Sequence, residues 1–442
     1  MIRQIHKVIK GYFPSLFDRI KHIKDPRLRR DYDTTELIMG CLSMFLFKEA
    51  SHNAFNGDRE KIMFIENYLK IFKKRLPHMD TVDTFFKLLE PEELELLKAA
   101  LIAAMIEQKI LQRFKLFGKH YMVAIDGTGV SSYTENDSEQ SRCSKTSIYG
   151  KTTYTHYVVE AKLVTSSGLA ISLASEWIAN EPDRNFNKQD CEQEAFKRLA
   201  IKLKKYFPRL PICILADGLY PTKPFMDICS NNEWFYIVIL KDENLKRLQQ
   251  DLTDIESKHH RSKETLQLSA KGKRHISQKN EWLTQKLEHG GHQLNWFRCT
   301  ETVTCYNKDG KALPEPKTTK FVWLTNLQTN DTNISNLVKA GRTRWKIENE
   351  GFNTQKNLGY NLGHKYCRKS FKGYKNYYQC LQISHLINQL AENSQNIKDM
   401  REGNPTLTLQ HIWKEMIGWL SHVLIDDNEF KTGTRFQIRL AG

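Results

Sequence analysis

The chain has no cysteine pair at CxxC spacing, although nine cysteines are scattered through its 442 residues. Their number is odd and most sit inside apolar segments. They read as buried free thiols in a reducing compartment, not as a disulfide framework. Cys299 and Cys305 bracket a strand-like run, but no His–Cys spacing beside them makes a zinc site. Long hydrophobic runs are also missing. The longest, around Cys41 to Phe47, is far too short to span a bilayer. The opening MIRQIHKVIKGYF lacks the apolar core and small-residue cleavage site of an export signal. These absences predict a soluble cytoplasmic protein with no membrane partner, in contact with the nucleoid where the host has no nucleus. A P-loop, a Gly-x-Ser-x-Gly elbow and a His-Glu-x-x-His motif are all absent, which removes the commonest phosphate-loop, serine-hydrolase and zinc-peptidase readings. There is no internal repeat and no long low-complexity tract.

What the chain does have is positive charge and enough apolar residues for real cores. Lys and Arg number 67 against 51 Asp and Glu, a formal net charge of +16, and 40% of residues are hydrophobic. The sequence pI is about 9.2. The excess is spread along the chain, and a spread positive field attracts polyanions, of which nucleic acid is the commonest. The length allows two or three domains.

Taken in order, residues 1–118 read as helical, with apolar residues such as Leu37, Cys41, Met44 and Phe45 at helical spacing and basic clusters between them. This region reads either as a module that grips a DNA backbone or as a plain helical bundle with solvated lysines, since phosphate-contacting and solvated lysines look alike in sequence. From Tyr121 the texture changes. Tyr121–Asp126 reads as a short buried strand ending in a carboxylate, and residues 131–153, rich in Ser, Thr and Lys, read as a loop. Strands over His156–Val164 and Leu169–Ile178 flank a Thr-Ser-Ser-Gly turn. A helix over Lys188–Phe207, a buried strand Ile212–Asp217, a short helix and an apolar strand Trp234–Leu240 follow. Residues 119–241 thus form the first part of an α/β core. Residues 242–328 break the pattern: a charged, helical or irregular part over Glu243–Lys273, then β-like runs over Glu281–Glu288, Leu294–Tyr306 and Lys320–Leu327. They read as a β-rich insertion. Residues 329–395 complete the core, and residues 396–442 form a helical C-terminal region with a basic tail holding Lys431, Arg435 and Arg439.

Three carboxylates stand out. Asp126 and Asp217 each close a buried apolar strand and are each followed by Gly, a place where a charge is costly unless it meets solvent or a cation. Glu348 lies in RTRWKIENEGFNTQK (Arg342–Lys356), which reads as a helix with Arg344 and Glu348 four apart on one face and Gln355 two turns beyond. Alone, that pair is an ordinary surface salt bridge. Three converging oxygen donors would suit Mg²⁺, which takes a few carboxylates together with water and phosphate.

The strand order, together with the runs AIDGTG, ILADG and RWKIENEGFNTQKNLGYNLGH, resembles DDE transposases of bacterial insertion sequences over roughly residues 75–395. The resemblance is to the cut-and-paste group with a β-rich insertion before the catalytic Glu. It implies a ribonuclease H-like α/β core interrupted by that insertion, with helical N- and C-terminal regions. It implies Asp126, Asp217 and Glu348 as catalytic metal ligands for two Mg²⁺ ions, with Mn²⁺ as the alternative. The activity implied is cleavage at inverted-repeat transposon ends followed by strand transfer into target DNA, in a homodimeric synaptic complex. A nuclease without strand transfer and a domesticated DNA-binding protein are the alternatives. Arg344 is expected to clamp a phosphate, with Arg342, Lys346 and Lys356 as further DNA contacts; Trp296 and Trp323 are the candidate aromatics for a flipped base, against the commoner reading of each as a sheet-core residue. The group's Tyr-x₂-Arg-x₃-Glu-x₆-Lys signature is met only in part: Gly341 stands at the Tyr position and Gln355 at the Lys position, with Lys356 beside it.

Overall fold

The computed structural model describes residues 1–49, 51–135, 142–178, 192–241, 245–268, 274–283, 287–307, 315–426 and 440. The basic tail residues Lys431, Arg435 and Arg439 lie outside them. Among the described residues, eleven strands form a central mixed sheet: β1 Tyr121–Tyr133, β2 Cys143–Thr146, β3 Thr152–Val164, β4 Ala170–Trp177, β5 Ile212–Ala216, β6 Phe235–Ile239, β7 His260–Leu268, β8 Arg274–Leu283, β9 Leu287–His289, β10 His292–Cys305 and β11 Lys317–Thr325. Their order is β2-β3-β1-β5-β6-β11-β10-β8-β7, with β4 also on β3 and β9 on β10. β1, β5 and β6 run parallel, and the β1–β3–β4 meander is antiparallel. The series β4-β3-β1-β5-β6 is the ribonuclease H-like core expected from the sequence. β11 pairs with β6, so the later strands extend the same sheet.

Alternation along the strands decides what each face carries. Met122, Ala124, Cys213, Leu215 and Ile237 face one side, beneath Ile334, Leu337, Val338, Ile347 and Phe352. Val123, Ile125, Ile214, Tyr236 and Val238 face the other, against Phe196, Leu199, Leu203, Phe225 and Met226. The two helices Thr34–Leu46 and Phe371–Glu392 pack together beyond the meander. All thirteen residues of the first are buried, and Asp33 with Glu36 forms a capping box at its start. Ser384 and Asn388 of the second donate to the carbonyls of Leu42, Phe45 and Leu46, so its buried polar side chains are tied to the first helix's C-terminal carbonyls.

Two expectations need correction. Glu243–Lys273 holds a helix, Lys246–His259, and then strand β7. β7 is the sheet's outer edge and its HRSKETLQL run carries no apolar alternation, so periodicity had nothing to register. Residues 131–153 are not simply a loop: β1 continues to Tyr133, and β2 lies within them.

Candidate active site

Asp126 does not end its strand. β1 runs on because β3 keeps pairing with it as far as Tyr133, whereas the parallel partner β5 stops at Ala216. The last parallel pair is Ala124 with Leu215, and Asp126 and Asp217 each lie two residues further on. Their side chains therefore fall on neighbouring strands and on the same face of the sheet as Ala124 and Leu215. That is the face covered by the segment carrying Glu348.

The segment itself is not one α-helix. Helix Ile334–Thr343 gives way at Arg344 and Trp345 to a π-helical stretch, Ile347–Asn353, before a final turn, Thr354–Asn357. In an unbroken α-helix, seven steps of about 100° return nearly to the same face. A π-turn adds one residue to the circuit. The eighth residue after Glu348, Lys356, takes the place the seventh would have had. Its Nζ donates to Thr128 Oγ1 at 2.7 Å, two residues along β1 from Asp126. Burial lowers the Lys356 pKa, and the Asp126 carboxylate partly restores it. Gln355, expected on the Glu348 face, is fully buried. Its Nε2 lies 2.8 Å from Gln382 Oε1 and 2.8 Å from His385 Nδ1.

Arg344 joins two of the carboxylates. Its Nη2 donates to Glu348 Oε1 at 2.7 Å, and Nη1 lies 3.6 Å from Asp126 Oδ2. The residue is only 4% exposed, yet its Nε and Nη1 have no hydrogen-bond partner. Asp217 accepts from Lys241 Nζ at 3.1 Å and from the Leu219 amide. Burial pushes the Asp126 carboxyl up to about 7. Arg344 and the Gly127 amide pull it down, and Glu348 and Glu192 push it further up.

Among the described residues, no three His, Cys, Asp or Glu side chains stand close enough together to hold one ion. Arg344 and Lys241 occupy the carboxylates instead. The donor set nonetheless fits a hard divalent cation: every donor is a carboxylate oxygen, and a buried Asp at about 7 is short of positive charge. The unpaired Arg344 donors suit phosphate oxygens.

Asp217, Lys241, Arg344 and Glu348 line a cleft of about 940 Å³ together with Trp296, Trp323 and Trp345, and Asp126 and Lys356 stand outside its lining. Trp296 and Trp323 are 3% and 2% exposed, and Trp323 stacks on Phe297 and Phe321, so neither presents a free ring face. The exposed aromatic here is Trp345, at 45%. It lies inside the motif, and only its exposure distinguishes it. Arg342 is held by Glu301 of β10, and Lys346 pairs with Glu350. Neither lines the cleft. Gly341 has a local reason: a Cβ there would lie 2.7 Å from the Trp323 indole, which is fixed in its stack. Gly341→Ala should cost about 1–3 kcal/mol by overpacking, read as a lower denaturant midpoint. The sequence also passed over Lys241, Glu192 and Tyr157. Lys241 follows an apolar strand as Asp217 does, and that signal was available. Glu192 gave none, because acidic residues are ordinary in a first helical turn.

No helix among the described residues is long and apolar enough to cross a membrane. A search of curated proteins returned no significant match. A family profile described as the transposase DDE domain matches residues 118–372, more than half of the chain, and spans all three carboxylates. Two aspartates each two residues beyond the last pair of adjacent parallel strands, a glutamate on the covering segment and that match together mean that the chain belongs to the transposase DDE domain family.

Proposed function

We propose that this transposase cuts DNA at the ends of its element and joins the freed 3′-hydroxyls to target DNA, as a homodimer pairing two ends. Asp126, Asp217 and Glu348 would hold Mg²⁺ or Mn²⁺. Bound there, the metal would supply Lewis-acid stabilisation of the reacting phosphate and a more acidic attacking water or hydroxyl. The observation that carries the reading is one buried, under-bonded arginine that bridges Asp126 and Glu348, with Asp217 and Lys241 lining the same cleft. Arg344 gives Nε and Nη1, which make no hydrogen bond within the protein, to the phosphate, freeing Asp126 from its ion pair. Lys356 adds a second cation on the β1 side, and Trp345 offers a ring face at the cleft mouth.

The test is to incubate the protein and Mg²⁺ with DNA from both flanks of its coding region, then with pre-cleaved 3′-hydroxyl ends and a target plasmid. Cutting at inverted repeats followed by joining is the expected result. Cutting without joining would leave a nuclease, and no cutting would remove the enzymatic reading. Lys356→Ala should weaken end binding or cleavage by about 10- to 100-fold, the worth of one charged hydrogen bond. The salt dependence of binding should fall by about one counterion. An unchanged salt slope would show that Lys356 meets no phosphate.

A further inference from the structure

Glu192 is the first residue of helix Glu192–Tyr206, which packs on the sheet face opposite the π-helical segment. Its carboxylate reaches the rim where β1 and β5 present their aspartates. A Cβ on Gly127 would lie 2.7 Å from Glu192 Oε1 and 2.7 Å from Tyr157 Cε1. The carboxylate therefore rests on the backbone of the residue directly after Asp126, and only glycine leaves room for it. Tyr157 Oη donates to Glu192 Oε1 at 3.1 Å and fixes it there. The charges are within reach of one another: Glu192 raises the Asp126 carboxyl, while burial raises Glu192 with Asp217 adding to the rise. The buried Tyr220 hydroxyl lies close to the same three carboxylates. Across the rim stands Arg344, buried and with two guanidinium nitrogens lacking hydrogen bonds. A glutamate serving only its own helix start would need neither Gly127 nor Tyr157.

We propose that Glu192 is a fourth carboxylate of the divalent-metal centre, a positioning residue whose negative charge, held by Tyr157, strengthens the hold of Asp126 and Asp217 on the cation. This rests on the metal assignment above, and the experiment separates the two. Mn²⁺ binding to the full chain without DNA is measured by isothermal titration calorimetry, beside melting curves of the metal-free protein. Glu192→Gln keeps the shape and removes the charge, and should weaken Mn²⁺ binding about 10-fold or more, within the range for groups that support metal ligands. Tyr157→Phe should weaken it by less, in the same direction. A merely structural role would lower the melting temperature and leave Mn²⁺ affinity unchanged. Wild-type affinity in Glu192→Gln, with binding lost in Asp217→Asn, would overturn the proposal and leave the metal assignment standing. Wild-type affinity in Asp126→Asn and Asp217→Asn as well would overturn both. Should Glu192→Gln fail to fold, Tyr157→Phe decides by the same comparison.

Discussion

Asp126→Asn, Asp217→Asn and Glu348→Gln should each lower DNA-end cleavage by about a thousand-fold or more while leaving end binding within a few-fold of wild type. Metal-held charge stabilisation is worth several kcal/mol, and each ~1.4 kcal/mol is tenfold in rate. Cleavage assays beside gel-shift titrations read both quantities, and near-normal cleavage in any one variant would remove that residue from the centre. Asp126→Asn should have a second effect. An acid raised from its ordinary value of 3.8 to about 7 holds a proton in the folded state that the unfolded chain has already lost between those values. Metal-free stability therefore falls as pH climbs through that window, and the full penalty is present above pH 7. Asn removes the penalty. The variant should melt at a higher temperature than wild type at pH 8, and the gap should close towards pH 4. A dead enzyme that is more stable than its parent is what a site built for an added cation predicts.

Glu160→Gln should cost about 3–5 kcal/mol of stability, because it strips the carboxylate from a fully buried charge cluster. Glu160 lies opposite Asp126 in the β1–β3 ladder. It and Lys98 and Lys162 all have no exposed surface. Glu160 Oε2 is 3.4 Å from Lys162 Nζ, and Tyr378 donates to its other oxygen at 2.5 Å. Burial lowers the Lys162 pKa to about 8, with Glu160 opposing the fall, and Lys98 is lowered in the same way. With Glu160 neutral, Lys162 can escape the penalty only by losing its proton. In wild type the unfolded chain holds the extra Lys162 proton between about 8 and the ordinary 10.5; without the Glu160 charge the folded-state pKa falls lower still, so the variant's stability starts to rise at a lower pH. The deficit against wild type should be largest at low pH, shrink as pH climbs to about 8 and stay level above it, as read from urea midpoints. The cluster also bears on the site. Lys162 donates to Gln382, which Gln355 meets on the segment carrying Glu348.

Much of this was open to reading in the linear chain. A buried apolar run followed by a carboxylate and Gly is a local pattern, although β1 runs on past Asp126, and so is Arg344 four residues before Glu348. The β3–β4 hairpin, the helix after it and strands β5 and β6 followed from apolar periodicity and turn residues. Strand β7 did not, since its residues 261–264 are polar and exposed and leave no alternation. Trp296 and Trp323 stood out as large aromatics among polar strands, but composition does not tell a ring in a stack from a ring at a cleft mouth.

The sequence by itself determined the chemistry available: three carboxylates, an arginine beside one of them, and a basic chain around them. Residue type and short spacing carry that information, because a strand or a helical turn fixes its own neighbours. Only the tertiary structure decided which side chains meet. The register of β1 on β5, which pairs Ala124 with Leu215, brought Asp126 and Asp217 to the same rim although they lie 91 positions apart in the chain. The π-turn, braced by Gln355 in the buried amides of helix Phe371–Glu392, exchanged Gln355 for Lys356 at the site. A helix counted at 3.6 residues per turn cannot reveal that exchange, because the added residue is held by packing from outside the segment and not by its own propensity.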